Sequence, residues 1–398
     1  MFPGWFLLCL LARDDPLDAS NAPSPDQQFR ALADAHEVAY RDFVKSSLEA
    51  KTEADYEAVN DHPGRNPRAF APGFMSLAEK YPGTSAAEDA LIWVCSHTSG
   101  TRESEEATRL LTRDHVKGPK LGPALGYQGH YAYYFEGTER FFRAVLAEST
   151  HRELQGLACY WLARHLLRQA DGVRWVREGP DFSALGFDPY ADVYGADWAD
   201  RLRRLDPETL EREAEALFQR VVENYADVPH NDKRRLPAPL GEVARSYLRD
   251  LRELALGRPA PETEGTDLEG RPFRLSDYQG RVVVLDFGSH FYCGLCHEMY
   301  PQLRTLIDKY KGRPFDVISI NAEPEKSVSQ LKEAWAAVGN TWRCVFDGTW
   351  EGPIQKAWNV HDFPTIYVLD GKGLIRGKRP GARDLDELVG ALLNKGPR

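Results

Sequence analysis

The sequence is poor in cysteine, with six in 398 residues. That is too few for a disulfide framework. Cys9, Cys95, Cys159 and Cys344 stand alone, and the expectation for each is a small buried hydrophobe. A basic excess is also missing: 50 Lys and Arg against 60 Asp and Glu leave a formal charge of −10, which argues against nucleic acid held on a basic surface. No apolar run is long enough to span a bilayer. The run Trp5 to Ala12 has the length of a signal h-region, but it lacks a basic n-region, a small-residue cleavage site and a lipoprotein box at Cys9. Residues 1–26 are read as a truncated export signal or disordered segment, which implies a periplasmic or cell-envelope protein. The alternative is the frayed terminus of a cytoplasmic one.

What the chain does hold is 42% hydrophobic residues, enough for about two or three domains with cores of their own. Residues 27–256 are rich in Ala, Leu, Glu and Arg at helical spacing. A degenerate repeat runs through them. Phe74 leads through Tyr81-Pro82-Gly83 to Ala90 and Trp93, and Phe142 and Val145 lead to Ala158 and Trp161 at the same offsets. Phe218 and Val221 lead to Tyr225 and then, after an insertion of about ten residues, to Ala244 and Tyr247. A helix, a turn and a second helix with a small residue at the crossing is the unit of helical-hairpin arrays. The pattern is similar to tetratricopeptide-like units, although its period is about twice theirs, and an irregular helical bundle is the alternative. Two aromatic-rich stretches, Tyr127 to Phe142 and Trp175 to Trp198, either fill this core or form a docking surface for a protein partner.

From residue 257 to 398 strand-like and helical runs alternate, the pattern of an α/β domain. Pro259 and Pro261 mark the boundary by interrupting helical continuation. Arg281 to Phe287 (RVVVLDF) is short, β-branched and apolar, as a buried strand should be. Cys293-Gly294-Leu295-Cys296 follows it, and Met299, Leu303, Leu306, Ile307 and Tyr310 then recur at helical spacing. Two cysteines separated by two residues at a helix start can close a reversible disulfide, and the helix dipole favours the thiolate of the first. Cys293 is therefore expected to be the nucleophile and Cys296 the resolving thiol.

Three segments resemble the TlpA/ResA type of thiol-disulfide oxidoreductase, within the AhpC/TSA–thioredoxin-like superfamily. They are Pro259 to Pro261 with Asp267 to Gly280, then Cys293 to Cys296 with Pro301, then Phe363-Pro364-Thr365 leading into Ile366 to Asp370. The resemblance implies a thioredoxin-like domain after an all-α, helical-hairpin N-terminal domain. It implies dithiol-disulfide exchange with thiol-bearing protein substrates and no metal or organic cofactor. It also implies a cis Pro364 lying against the cysteine pair, with Phe363 and Thr365 on either side.

The chain departs from the family at several positions. Tyr292 stands where Trp is usual, and Leu295 where Pro is common. Asp286 ends the strand as the buried acid of thioredoxins does, but seven residues before the first cysteine instead of six; a solvated strand end is the alternative. His297 either supports a thiolate or sits on the outside of the first helical turn. Cys293 to His297 also spells a c-type haem attachment pattern, but haem would leave the preceding strand, Pro301 and the Phe363-Pro364 loop unexplained. A peroxiredoxin needs Pro and Ser or Thr shortly before its cysteine, whereas His290, Phe291 and Tyr292 stand here. Cys344 is either a third redox thiol or a buried spectator. The alternative function is a helical scaffold or interaction protein whose redox domain is vestigial or regulatory.

Overall fold

The computed structural model describes residues 22–178, 191–230, 238–360, 362–378 and 382–395. Trp5 to Ala12, Cys9 and half of the stretch Trp175 to Trp198 lie outside them. The chain divides into two compact units, one running to His165 and one from Leu166 onward.

The first unit is helical: α1 (Pro25–Glu49), α2 (Glu53–Asn60), α3 (Ala71–Lys80), α4 (Ser85–His97), α5 (Arg102–Asp114), α6 (Gly122–Tyr131), α7 (Glu136–Glu148) and the first half of α8 (Arg152–Glu178). The repeat is visible as physical hairpins. Gly83, at φ 75°, supplies the left-handed turn between α3 and α4, and Thr84 caps α4 by accepting from the Ala87 amide. Across that hairpin Phe74 and Trp93 stack with ring centroids 3.9 Å apart. In the next repeat Phe142 meets His165 and Trp161 meets His130. Phe135, Phe141 and Phe142 of the first aromatic stretch are buried, whereas Tyr131 is exposed. The phenylalanines of that stretch therefore fill the core.

The second unit begins with the rest of α8, then α9 (Ala191–Tyr194), α10 (Trp198–Arg203), α11 (Pro207–Asn224) and α12 (Leu240–Arg252). The third repeat is the α11–α12 hairpin, where Phe218 and Tyr247 stack with parallel rings 4.8 Å apart. Its insertion holds the two-residue strands β1 (Pro229–His230) and β2 (Ala238–Pro239), which pair antiparallel.

The strands that follow are the hairpin β3 (Glu264–Thr266) and β4 (Pro272–Arg274), then β5 (Val282–Gly288), β6 (Phe315–Ala322), β7 (Arg343–Gly348), β8 (Thr365–Leu369) and β9 (Ile375–Lys378). The last five form one sheet in the order β7-β6-β5-β8-β9, with β5, β6 and β7 parallel and β8 and β9 antiparallel. Helices α13 (Gly294–Lys309), α14 (Val328–Ala337) and α16 (Ala382–Lys395) cover one face, where Val282 and Val284 meet Tyr300, Leu303, Leu331 and Leu385. The other face packs Val283, Leu285 and Phe287 against Phe273, Trp358 and, from short α15 (Pro353–Ala357), Ile354. Every residue of β5 is buried, Asp286 included, as expected of a strand covered on both faces.

Within the second unit, the side chains of α12 tie it to the sheet-bearing part. Arg249 donates to the Lys356 and Ala357 carbonyls at 3.0 and 2.9 Å, Asp250 pairs with Lys378 at 2.6 Å, and Ser246 and Asn359 bond to each other through both backbone and side chain. Leu254, just past the helix, is buried in the apolar cluster of the sheet's second face. Helical periodicity marks α12 as a helix but carries no information about which core it joins. Arg249→Ala in the full chain is expected to destabilise the sheet-bearing unit by about 1–2 kcal/mol, the worth of two charge-assisted hydrogen bonds. Urea denaturation followed by near-UV circular dichroism checks this, and an unchanged midpoint would show that α12 is only an attachment.

Candidate active site

The site forms where β5 ends and α13 begins. Cys293 is the N-cap of α13 and its sulfur accepts from the Cys296 amide at 3.1 Å. The sulfur expected to be the nucleophile is thus held at the positive end of a helix, which favours its thiolate once reduced. Cys293 and Cys296 are joined as a disulfide with Cα atoms 5.3 Å apart. Cys293 is half-buried, whereas Cys296 is 1% exposed. A partner sulfur therefore has access to Cys293 first. Gly288 closes the strand under the pair: a Cβ there would lie 3.1 Å from the Cys296 sulfur. Any larger residue would require that sulfur to give way by a few tenths of an ångström. Pro301 lies inside α13.

The Phe363–Pro364 bond is cis. Thr365 pairs with Phe287 in the β5–β8 ladder, and continuing that register sets Pro364 opposite Gly288. Thr365 is buried and its hydroxyl donates to the Asp362 carbonyl at 2.7 Å.

Tyr292 is 51% exposed and its hydroxyl donates to the Pro324 carbonyl at 3.1 Å. Its ring lies 5.5 Å from Trp350, which lies 5.5 Å from Phe363. With exposed Phe291 and Leu295, these rings make an apolar collar beside the disulfide. Trp350 was not singled out by motif reasoning; the one signal was a tryptophan in a glycine-flanked polar turn.

Asp286 is a buried residue, 2% exposed, and not a solvated strand end. Alternation along β5 sets it on the same face as Val284 and Gly288, under α13. It accepts from the Ser319 hydroxyl at 2.8 Å, and that hydroxyl accepts from the Trp342 indole at 2.8 Å. Its second oxygen has no hydrogen-bond partner among the described residues. Burial pushes its pKa up to about 6, against the smaller opposing pull of Ser319.

His297 does not hang outside the first turn. Its Nε2 is hydrogen-bonded to the His290 carbonyl at 2.6 Å, and the two imidazoles lie 4.5 Å apart. Burial, and then the neighbouring His297, lower the pKa of His290. Cys344 is 3% exposed in β7, and burial drives its thiol pKa well above the ordinary value. A thiol held protonated is a poor nucleophile, and this is the setting of a buried spectator. Cys95 and Cys159 are also buried.

A thioredoxin-type sheet with a CxxC disulfide at the head of its first helix defines a dithiol-disulfide oxidoreductase. Residues 255–392 match the Redoxin family. The chain is 30% identical over 135 residues to the thiol-disulfide oxidoreductase ResA of Geobacillus kaustophilus, covering 34% of this chain and 74% of that protein. It is 29% identical to ResA of Geobacillus thermodenitrificans, over 35% of this chain and 79% of that one. Among solved structures, it is 25% identical to the thioredoxin domain of a thiol-disulfide oxidoreductase from Bacteroides vulgatus, at a TM-score of 0.33, covering 35% of this chain and 99% of that domain. The chain belongs to the ResA-type thiol-disulfide oxidoreductases through this C-terminal third.

The buried acid leads to a pH-dependent stability. A carboxyl whose folded pKa lies above its unfolded value binds more protons when folded, so stability falls as pH rises from about 4 to about 6 and then levels off. A rise from the ordinary carboxyl value to about 6 corresponds to about 3 kcal/mol lost by pH 7. Asp286→Asn is expected to be more stable than the wild type at pH 7.5, with the difference closing below pH 4. Thermal melts across that range check it, and a constant difference at all pH values would rule out the buried charge as the cause.

Proposed function

We propose that this protein exchanges its Cys293–Cys296 pair with cysteines of other proteins, and that Cys293 is the sulfur that meets the substrate. The observation that carries this reading is the asymmetry of the pair, a partly accessible Cys293 capping a helix beside a fully buried Cys296. In the oxidised form described here, a substrate thiolate attacks the Cys293 sulfur. The internal disulfide breaks, a mixed disulfide forms, and Cys296 leaves as a thiolate. A second substrate thiolate then attacks the substrate sulfur of that mixed disulfide. The substrate is released as a disulfide and Cys293 as a thiolate, so two electrons pass to the enzyme. The reverse sequence reduces a substrate disulfide, with Cys293 attacking and Cys296 resolving.

Asp286, under α13 with one oxygen unpartnered, is suited to take up the proton that the Cys296 thiol gives up when it attacks. Pro364, flanked by Phe363 and Thr365, forms the opposite wall of the site. The exposed collar of Phe291, Tyr292, Leu295 and Trp350 supports a protein substrate over a small thiol, because a polypeptide can cover such apolar surface and glutathione-sized molecules cannot.

Insulin-reduction and peptide-oxidation assays test the reading. Cys293→Ser is expected to abolish exchange, a loss of at least about a hundredfold, while Cys296→Ser is expected to accumulate mixed disulfide that mass spectrometry detects. Wild-type activity no higher than that of the Cys293→Ser variant would sink the enzyme and leave the helical scaffold as the working part. Trp350→Ala is expected to raise KM for protein substrates about three- to tenfold and to leave exchange with a small dithiol unchanged.

A further inference from the structure

Glu323, the residue after β6, is 1% exposed and has no role in the exchange chemistry described above. Its carboxylate is aimed at the loop between β5 and Cys293. The Ser289 hydroxyl donates to it at 2.9 Å and the Phe291 amide at 3.3 Å, and the His290 amide donates to its other oxygen. The Ser289 oxygen in turn accepts from the Tyr292 amide at 3.2 Å. Three consecutive backbone amides leading to the nucleophile are thus bound, directly or through one hydroxyl, to a single side chain from the neighbouring strand. The next residue adds to the same wall, since the Pro324 carbonyl accepts from the Tyr292 hydroxyl. These amides lie outside the sheet ladder and precede the helix, so they need another partner.

We propose that Glu323 is a positioning residue for thiol-disulfide exchange, holding residues 289–292 in the turn that presents Cys293 to a substrate. The inference rests on the exchange reaction proposed above. It explains why an acid is tolerated in a buried position: three donors converge on two carboxylate oxygens, and a neutral side chain cannot match them. An amide offers one acceptor oxygen and places an N–H group against donors, so Glu323→Gln conserves shape and breaks the complementarity. Desolvation raises the carboxyl pKa, while the amides, the Ser289 hydroxyl and the nearby His297 pull it back down.

The test uses full-length Glu323→Gln beside the wild type, with insulin reduction, the Cys293 thiolate titration at 240 nm in a Cys296→Ser background, and the melting temperature measured on the same preparations. The expected result is an exchange rate lowered about tenfold, as for a nucleophile displaced by a fraction of an ångström, with the thiolate midpoint moved by about half a pH unit or more. A variant that loses only melting temperature, and keeps wild-type rate and midpoint, overturns the inference. If Glu323→Gln does not fold, Ser289→Ala removes one donor and the Tyr292 link; it is expected to lower the rate about threefold, and an unchanged rate and midpoint there overturn the inference as well. Exchange missing in the wild type would instead remove the proposed function on which this one rests.

Discussion

The structure of the redox unit depends on burying β5 on both faces. Seven consecutive residues without solvent contact need layers above and below, and each apolar side chain fully buried there contributes about 1.5–3 kcal/mol. That requirement seats α13 on one face and the Phe273–Trp358 cluster on the other. It also decides where the chemistry can occur. The strand ends at Gly288, the Cys296 sulfur packs on that glycine, and the neighbouring strand delivers Thr365 in register. The disulfide therefore lies at the rim of a rigid core, with one sulfur sealed in and the other partly accessible.

Two carboxyls are buried around that rim, and each accepts from named donors. Asp286 is held by Ser319, which Trp342 holds in turn. Glu323 gathers the loop before Cys293. Both carboxyls carry raised pKa values because burial outweighs their hydrogen bonds. Such costs persist in a core only where a geometry or a charge is needed, and both acids flank the one segment that reacts.

Legibility in the sequence followed the range of the interactions. The apolar run of β5, the helical spacing of α13 and the cysteine pair are local patterns, and all three appear in the structure as expected. The hairpin repeats were legible because Phe74 with Trp93, and Phe218 with Tyr247, occupy equivalent positions across a turn. Asp286 was recognised as a candidate, but whether it was solvated depended on α13 lying over it. Glu323 and Trp350 gave no usable signal. They lie 30 and 57 residues beyond Cys293, and only the parallel pairing of β5 with β6, and of β6 with β7, brings their segments to the same end of the sheet. The attachment of α12 was equally hidden, since an amphipathic stripe shows that a helix is covered and not by what.

The sequence by itself determined the reaction class, the identity of the two sulfurs and the order of helices before sheet, because helix and strand periods and a two-residue cysteine spacing are written in adjacent residues. Only the tertiary structure decided which sulfur is sealed, which acids lie beneath the site, which aromatics surround it, and which core α12 belongs to. Those properties come from pairing and packing between segments distant in the chain, and short-range spacing carries no record of them.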